Sequence, residues 1–328
     1  MLFDIGLDVL EGDILEYSPK LLALLLKDKT TGRNILWATD DYSSNGDDYK
    51  ADCEIQVSQI TGEHTTLIRP RVAKSLEEQE NRTKNKAEVF TPCWVCNSQN
   101  NLIDAQWFGR KDVFNIENEN QWAITTEKIS FPETGPKTWK KYVDTKRLEI
   151  TCGEAPYLAS RYDTVTGKLI PVAERIGLLD RKLRVVNENT DDEESWIKWT
   201  LRAFQSVYGY EFQGDSLLLA RENLLATFIE YYQSRFGANP SLKQLMNVVN
   251  VISWNIWQMD GMKCVVPNSC KSSIYEESTL FGSVFHEIPC PGCEKGLIHK
   301  HTGTYCKIFD WRENASFPFV TMMKGAQS

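Results

Sequence analysis

The sequence has no apolar run of the length that crosses a membrane, and its N-terminus lacks the basic start of a signal peptide. It also has no Gly-Lys-Ser/Thr loop for nucleoside phosphates, no internal repeat and no low-complexity tract. We therefore expect a cytoplasmic protein without membrane contacts, and nothing in the sequence supports a nucleotide-dependent enzyme of the phosphate-loop type.

The sequence also has fewer basic than acidic residues. Lys and Arg total 37 against 45 Asp and Glu, which gives a net charge of −8. A protein that binds duplex DNA alone usually has a basic face. If nucleic acid is the substrate, we expect a partner chain to supply much of the binding surface.

Cysteine is not scarce, but its number is odd, with nine in a chain of 328 residues. Without a secretion signal, an odd number argues against a disulfide framework and favours free thiols together with a metal site. The length allows two domains or one decorated domain. The pattern along the chain predicts an α+β module over residues 1–85, a ligand-binding domain over 86–265 and a small metal-binding segment over 266–328.

One stretch in the middle of the chain combines a strand, a tight turn and the start of a helix. The strand is predicted over residues 148–152, the turn over 153–156 and the helix over 157–162. A turn of small residues lets a ligand approach the backbone, and a helix N-terminus offers unpaired N–H groups. The acid Glu149, four residues before Gly153, could meet a ligand's ammonium group.

Strands and helices alternate from here to residue 260, which predicts an α/β domain with a parallel sheet covered by helices. The further predicted helices are 171–188, 193–207, 216–234 and 240–249, and the further predicted strands are 208–212 and 251–256.

Acids follow two of these strands. Glu211 ends the second strand and Asp260 follows the third. Because the carboxyl ends of strands in a doubly wound sheet line one crevice, these acids and the Gly153 turn are expected to share a ligand site. Glu211 could accept hydrogen bonds from both ribose hydroxyls, and Asp260 could receive the exocyclic amine of an adenine ring.

A Phe-Thr-Pro segment stands ahead of the predicted sheet, at residues 90–92. Thr91 is predicted as the N-cap of a helix and Pro92 as its first residue, with the helix ending near Leu102.

In this order the segments resemble the gamma-class adenine-specific DNA methyltransferases, the modification subunits of restriction–modification systems. The resemblance rests on residues 87–92, 149–155, 208–211 with 220–225, and 255–260. It implies a Rossmann-like methyltransferase fold over residues 86–265 that binds S-adenosylmethionine, with the Phe-Thr-Pro segment closing over its methionine part. The residues implied to hold this cofactor are Phe90, Thr91, Pro92, Glu149, Gly153, Glu154, Glu211 and Asp260.

Two departures from the family pattern matter. Ala155 stands where the family usually has a second Gly, which adds a methyl group at the closest approach of backbone to cofactor. The family's Asn-Pro-Pro-Tyr tetrapeptide, whose Asn binds the target amine and whose aromatic ring stacks on the flipped-out base, does not occur. The chain is therefore expected to hold the cofactor half of a methyltransferase, with the catalytic residues on a second protein chain or lost.

The Cys-Pro-Gly-Cys knuckle at residues 290–293 brings two thiolates together as tetrahedral zinc requires. Cys306 lies thirteen residues past Cys293, and Cys270 is predicted as the fourth ligand, with His301 or Cys264 as alternatives. The predicted set Cys270, Cys290, Cys293 and Cys306 would be a closed, structural Zn²⁺ site in a zinc-ribbon-like hairpin.

The Cys93–Cys96 pair has the same spacing but falls on a predicted helix, so we expect it to serve core packing.

The leading hypothesis is an S-adenosylmethionine-binding subunit of a DNA adenine-N6 methyltransferase that acts on DNA through a complex. The alternative is a catalytically inactive, methyltransferase-like interaction or anti-defence protein. The reading frame immediately downstream distinguishes them, because an Asn-Pro-Pro-Tyr near its start favours the split enzyme.

Overall fold

The chain folds into a mixed α/β structure with several small sheets, seen in a computed structural model that describes Leu2 and residues 5–86, 91–279 and 282–323. The helices are α1 Glu11–Tyr17, α2 Pro19–Leu26, α3 Leu76–Lys86, α4 Cys93–Phe108, α5 Trp139–Val143, α6 Leu178–Asn189, α7 Glu193–Gln205, α8 Gly214–Phe236, α9 Leu242–Asn255 and α10 Pro291–Lys295. The strands are β1 Asn115–Asn118, β2 Gln121–Ile124, β3 Arg147–Ile150, β4 Val207–Glu211, β5 Ile256–Gln258, β6 Ser273–Thr279, β7 Gly282–Ile288, β8 Lys307–Asp310 and β9 Ala315–Pro318.

The central sheet has three parallel strands in the order β3, β4, β5. Arg147 lies opposite Val207, and Gly209 lies opposite Ile256. Helices α6 and α7 connect β3 to β4, and α8 and α9 connect β4 to β5, which provides the crossovers that parallel pairing needs. The carboxyl ends of all three strands therefore lie at the same edge of the sheet.

A large hydrophobic core forms where α2, α6, α7, α8 and α9 pack together against this sheet. Helix α8 is buried along most of its length, so it has no solvent-facing stripe of the kind a surface helix shows. Leu21, Leu25 and Trp37 from the N-terminal segment share this core with the later helices. The domain boundary at residue 85 stays a prediction.

The outer edge of β3 pairs with no strand among the described residues. The Arg147 N–H donates to the Ser206 carbonyl oxygen, on the side of β4. Because the backbone groups of successive strand residues point to opposite sides, those of Leu148 and Ile150 point away from β4. The side chains of Leu148 and Ile150 are 44% and 63% exposed. An edge strand of this kind presents backbone N–H and C=O groups that no neighbouring described strand pairs.

Most of the predicted helices are confirmed with shifted ends. The predicted helix 171–188 begins only at Leu178, because residues Val172–Glu174 form a separate 3₁₀ turn. The predicted strand 251–256 is wrong for residues 251–255, since α9 continues through Asn255 and β5 begins at Ile256. Short Val/Ile runs suit a buried helix as well as a strand, and here the buried helix is what forms.

The predicted helix over residues 157–162 is also wrong, because these residues form turns. The N–H groups of Tyr157 and Leu158 donate to the Glu149 carboxylate, at 3.3 Å and 3.2 Å. These two N–H groups are therefore bonded to Glu149 and are not available to a ligand, as the free N–H groups of a helix N-terminus would be.

Helix α4 starts one residue later than predicted. Pro92, not Thr91, is the N-cap, and its carbonyl oxygen accepts from the N–H groups of Val95 and Cys96. The N-cap residue makes no side-chain hydrogen bond, and the Asp163 carboxylate accepts from the Cys93 N–H at 3.1 Å instead. Among the described residues, no helix combines the length and the apolar character needed to cross a bilayer.

A buried charge cluster ties the N-terminal segment to the start of α8. The Asp215 carboxylate lies 2.9 Å from the Arg82 guanidinium, 3.5 Å from the Lys74 ammonium and 2.8 Å from the Tyr42 hydroxyl. Burial raises the pKa of Asp215, but the positive charges of Arg82 and Lys74 outweigh it and hold the pKa well below its usual range.

Asp215→Asn is expected to lower the free energy of unfolding by about 3–5 kcal/mol, because it removes the carboxylate that Lys74 and Arg82 share and leaves Arg82 with only the partly exposed Asp41, 3.1 Å away. Urea unfolding at neutral pH measures this, and Asp191→Asn at an exposed acid should stay within about 0.5 kcal/mol of the unaltered chain. The contribution of Asp215 is present above its unfolded pKa of about 3.9 and is lost as pH falls through its folded pKa. The difference between variant and unaltered chain should therefore shrink in acid, and equal stabilities at neutral pH would contradict the account.

Candidate functional site

A cavity of about 930 Å³ opens at the carboxyl end of β3. It is bounded by the ends of β3 and β4, the turn after β3, one side of α4 and the start of α8. Its lining includes Thr91, Asn100, Glu149, Gly153, Glu211 and Gln213.

The turn after β3 is fixed by the acid at the end of β4. Gly153 has a φ of +52°, in the left-handed region, and its N–H donates to Glu211 Oε2 at 2.9 Å. The other oxygen of Glu211 accepts from the N–H groups of Phe212 and Gln213. Burial raises the pKa of Glu211, while these three backbone donors favour its charged form. Two neighbouring strand ends are therefore joined at the cavity.

Backbone strain accumulates beside this turn. Thr151 lines the cavity with a φ of +45°, and the buried Ala155 has a φ of +62°. Non-glycine residues in this region carry a cost that the surrounding structure must offset, and such positions cluster at ligand sites. Ala155, the position where the resemblance predicts Gly, does adopt a conformation that glycine would adopt more easily.

Glu149 lines the cavity and is largely buried. Desolvation raises the pKa of its carboxyl to about 8, with the charge of Glu211 adding to this and the N–H groups of Tyr157 and Leu158 opposing it. A cation placed in the cavity would favour the ionised carboxylate.

The charge of the cavity lining has one sign. Glu149 and Glu211 are the charged residues among those that line it in the described structure, and no Lys, Arg or His joins them there. The arrangement therefore suits a ligand that brings positive charge or N–H donors.

Of the remaining residues predicted to hold the cofactor, some line the cavity and others do not. Thr91 lines the cavity, while Pro92 caps α4 and does not line it, and Phe90 lies outside the described residues. The prediction that Glu154 holds the cofactor needs correction, because Glu154 does not line the cavity either. Its carboxylate accepts from the Arg71 N–H at 2.7 Å and the Tyr162 hydroxyl at 2.6 Å, so it packs the loop from behind.

The prediction that Asp260 holds the cofactor also needs correction, because Asp260 does not line the cavity. Its carboxylate pairs with Lys263 at 3.1 Å and accepts from the Met262 N–H at 3.1 Å. Its backbone forms an isolated bridge with Val265, which turns this segment away from the Gly153 turn. The predicted contact between Asp260 and an adenine amine has no geometric basis here.

Asn100 and Gln213 line the cavity and were not predicted. A signal for Asn100 exists in the sequence. Asn97, Asn100 and Asp104 follow helical spacing on α4, and all three are buried, so the helix turns a polar stripe inward.

Near the C-terminus, three thiols and one imidazole converge. The ligand atoms of Cys270, Cys290, Cys293 and His301 all lie within 4.8 Å of one another, so this cluster could hold a metal ion. The His301 Nδ1 atom lies 3.6 Å from the sulfurs of Cys270 and Cys293 and 3.7 Å from that of Cys290. Tetrahedral zinc with Zn–S of about 2.3 Å and Zn–N of about 2.0–2.1 Å places sulfur and nitrogen about 3.6 Å apart, so the geometry is compatible with zinc.

Local backbone features hold these ligands close together. A Cβ atom on Gly292 would lie 2.6 Å from His301 Cγ, so the knuckle needs glycine there. The Thr302 N–H donates to Cys290 Sγ at 3.2 Å. Burial raises the pKa of the Cys290 thiol, but the hydrogen bonds from Thr302 outweigh it and lower the pKa to about 5, which favours the thiolate that binds metal.

The prediction of Cys306 as a ligand needs correction. Its buried thiol lies 3.3 Å from the Gln258 carbonyl oxygen and takes no part in the cluster, where His301, one of the two alternatives, stands instead. Cys93 and Cys96 are fully buried, which confirms the prediction that they serve core packing.

The purified chain is expected to contain a bound metal ion that elemental analysis detects. His301→Ala and Cys293→Ser should lower the metal content sharply, because each removes one of four ligands. Cys306→Ser and the control Cys53→Ser should leave it unchanged. Loss of metal from Cys306→Ser together with retention by His301→Ala would show that the ligand set predicted from the sequence was right.

No protein-family model, curated protein or solved structure matches the chain, so the comparisons neither support nor contradict the resemblance to methyltransferases.

Proposed function

We propose that this chain is the S-adenosylmethionine-binding subunit of a DNA adenine-N6 methyltransferase whose catalytic residues lie on a second protein chain. The observation that carries the proposal is the cavity at the carboxyl ends of β3 and β4, where a glycine turn is hydrogen-bonded to a strand-end acid and the ionisable side chains of the described lining include two acids and no base. Parallel strands with helical crossovers support a Rossmann-like arrangement around it.

The sign of the charge separates candidate ligands. Nucleotides such as ATP or NAD carry phosphates, which proteins bind with Arg, Lys or clustered backbone N–H groups. This cavity has two carboxylates and, among the described residues, no cationic side chain. S-adenosylmethionine carries a sulfonium and an ammonium group in place of phosphates, so the acids attract it.

The residues of this chain would bind and orient the cofactor. Glu149 would meet its ammonium group, and Glu211 would accept hydrogen bonds from the ribose hydroxyls while it keeps the Gly153 turn in place. When bound, S-adenosylmethionine supplies an electrophilic methyl group. Positioning is the main contribution a protein makes to such a transfer.

Base binding and deprotonation of the amine would fall to the second chain. This chain has no Asn-Pro-Pro-Tyr, and its net charge of −8 does not favour DNA binding on its own. The outer edge of β3 pairs with no described strand, which leaves space for a strand of another polypeptide beside the cavity.

The Cys₃His cluster is proposed to bind Zn²⁺ in a structural role. Four protein ligands leave no open position for water or substrate. Cys270 lies before β6 and Cys290 follows β7, so the metal would join the two ends of this hairpin. A two-stranded hairpin is marginally stable alone, and a metal at its base offsets that weakness.

Binding of S-adenosylmethionine is expected to release protons near neutral pH. Glu149, with a pKa of about 8 in the free chain, is largely protonated there, and the ligand's positive charge would ionise it. Affinity should therefore rise as pH increases towards that pKa. Calorimetry in two buffers of different ionisation enthalpy counts the protons, and Glu149→Gln should abolish the release. Binding without proton release in the unaltered chain would remove Glu149 from the ammonium contact.

Methyl transfer is expected only from a mixture of chains. This chain alone should transfer no methyl group from labelled S-adenosylmethionine to DNA, and it should become active when combined with a chain that carries Asn-Pro-Pro-Tyr, encoded by the adjacent reading frame. Transfer by the isolated chain would contradict the division of labour. A calorimetric titration without any binding, with and without that partner, would contradict the proposed function itself.

A further inference from the structure

The outer edge of β3 carries backbone hydrogen-bonding groups that the described structure leaves unused. The N–H groups of Leu148 and Ile150 point away from β4, and neither donates to a described residue. The Ile150 carbonyl oxygen accepts only from the hydroxyl of its neighbour Thr151, at 2.8 Å. Such an edge is a template on which a strand of another chain can pair.

Open space borders this edge. Leu148 and Ile150 line the cavity, and Leu148 also lines a second groove of about 140 Å³. The lining of this groove includes the aromatic side chains of Tyr208, Trp257, Phe309, Phe317 and Phe319. A strand paired with β3 could therefore place an apolar side chain in the groove, where its burial would stabilise the complex.

The start of β3 is basic. Lys146 precedes the strand and Arg147 begins it. The Lys146 ammonium pairs with Asp310 at 3.0 Å, whereas the half-buried Arg147 guanidinium makes no hydrogen bond or ion pair with any described residue. A strand that brings an acidic residue to this end of β3 would provide the complementary charge.

The order of the strands indicates the direction of such a partner. In the common doubly wound sheet, the first strand lies between the second and the fourth, and ligands bind at that point, where the strand order reverses. Strands β3, β4 and β5 are parallel and adjacent in chain order, and the cavity lies at the carboxyl end of β3. A parallel strand on the outer edge of β3 would end at the cavity, so the residues after it could reach the ligand.

We propose that the second protein chain docks by adding a parallel strand to the outer edge of β3, with an apolar residue in the groove and an acid beside Arg147. This inference rests on the proposed function and identifies the surface through which its partner binds. The missing tetrapeptide would follow that strand and lie beside the bound cofactor.

Residue-resolved hydrogen exchange of the unaltered chain tests this surface. The probe is the polypeptide encoded by the adjacent reading frame, added in excess. The Leu148 and Ile150 N–H groups should exchange rapidly in the chain alone and about tenfold more slowly in the mixture, because pairing with the partner strand would occupy both. The Glu117 N–H, on the separate β1–β2 sheet, should keep its rate and serves as the control.

Ile150→Pro should weaken the complex by about tenfold, because it removes one outward N–H that the isolated chain does not use, and proline is tolerated at strand edges. Ile150→Val keeps the N–H and is the matched control. If Ile150→Pro fails to fold, Arg147→Glu tests the same surface and should also weaken the complex. Lys243→Glu, at an exposed cation on α9, should not. Calorimetry gives each dissociation constant.

The outcomes separate this inference from the proposed function. A mixture that transfers methyl groups to DNA without slower exchange at Leu148 and Ile150 overturns the docking surface and leaves the split enzyme standing. Slower exchange that depends on the concentration of this chain alone places a second copy on the edge and also overturns it. The same holds if the chain binds S-adenosylmethionine but forms no complex with the probe. A chain that binds neither overturns both proposals.

Discussion

The hydrogen bond from the Gly153 N–H to Glu211 is the contact on which the candidate site depends. It forms because the parallel register sets Ile150 opposite Tyr210, so that β3 and β4 end at the same level. The acid that ends one strand can then reach the turn that follows the other. Without that register the Gly153 N–H could not reach the Glu211 carboxylate, and the turn that lines the cavity would lose this hydrogen bond.

The electrostatics of the cavity follow from the same arrangement. Glu149 and Glu211 are both buried, and desolvation raises the pKa of each, with the charge of Glu211 adding to the shift at Glu149. In the empty cavity, burial therefore disfavours the ionised form of both carboxyl groups. A positively charged ligand in the cavity would favour the ionised forms.

Local patterns predicted the central part of the fold well. The strand–turn at Gly153, the strand that ends in Glu211 and the long helix α8 are each specified by residues close together in the chain, and the structure has them where they were predicted. Two of the failures among the predicted site residues involve distant contacts. The Glu154 carboxylate accepts from the Arg71 N–H, and the Cys306 thiol is buried against the Gln258 carbonyl oxygen. The spacing of residues in the sequence does not reveal either contact. Partners from distant segments decide which of several suitable residues reaches a site.

The cavity is expected to select an adenosyl ligand that carries an ammonium group over a phosphorylated one. Equilibrium dialysis of the unaltered chain against labelled S-adenosylmethionine, with unlabelled ATP or S-adenosylhomocysteine as competitor, tests it most directly. The account predicts that the label is retained, that S-adenosylhomocysteine displaces it and that ATP does not. Displacement by ATP at similar concentrations, or no retention of the label, would contradict it.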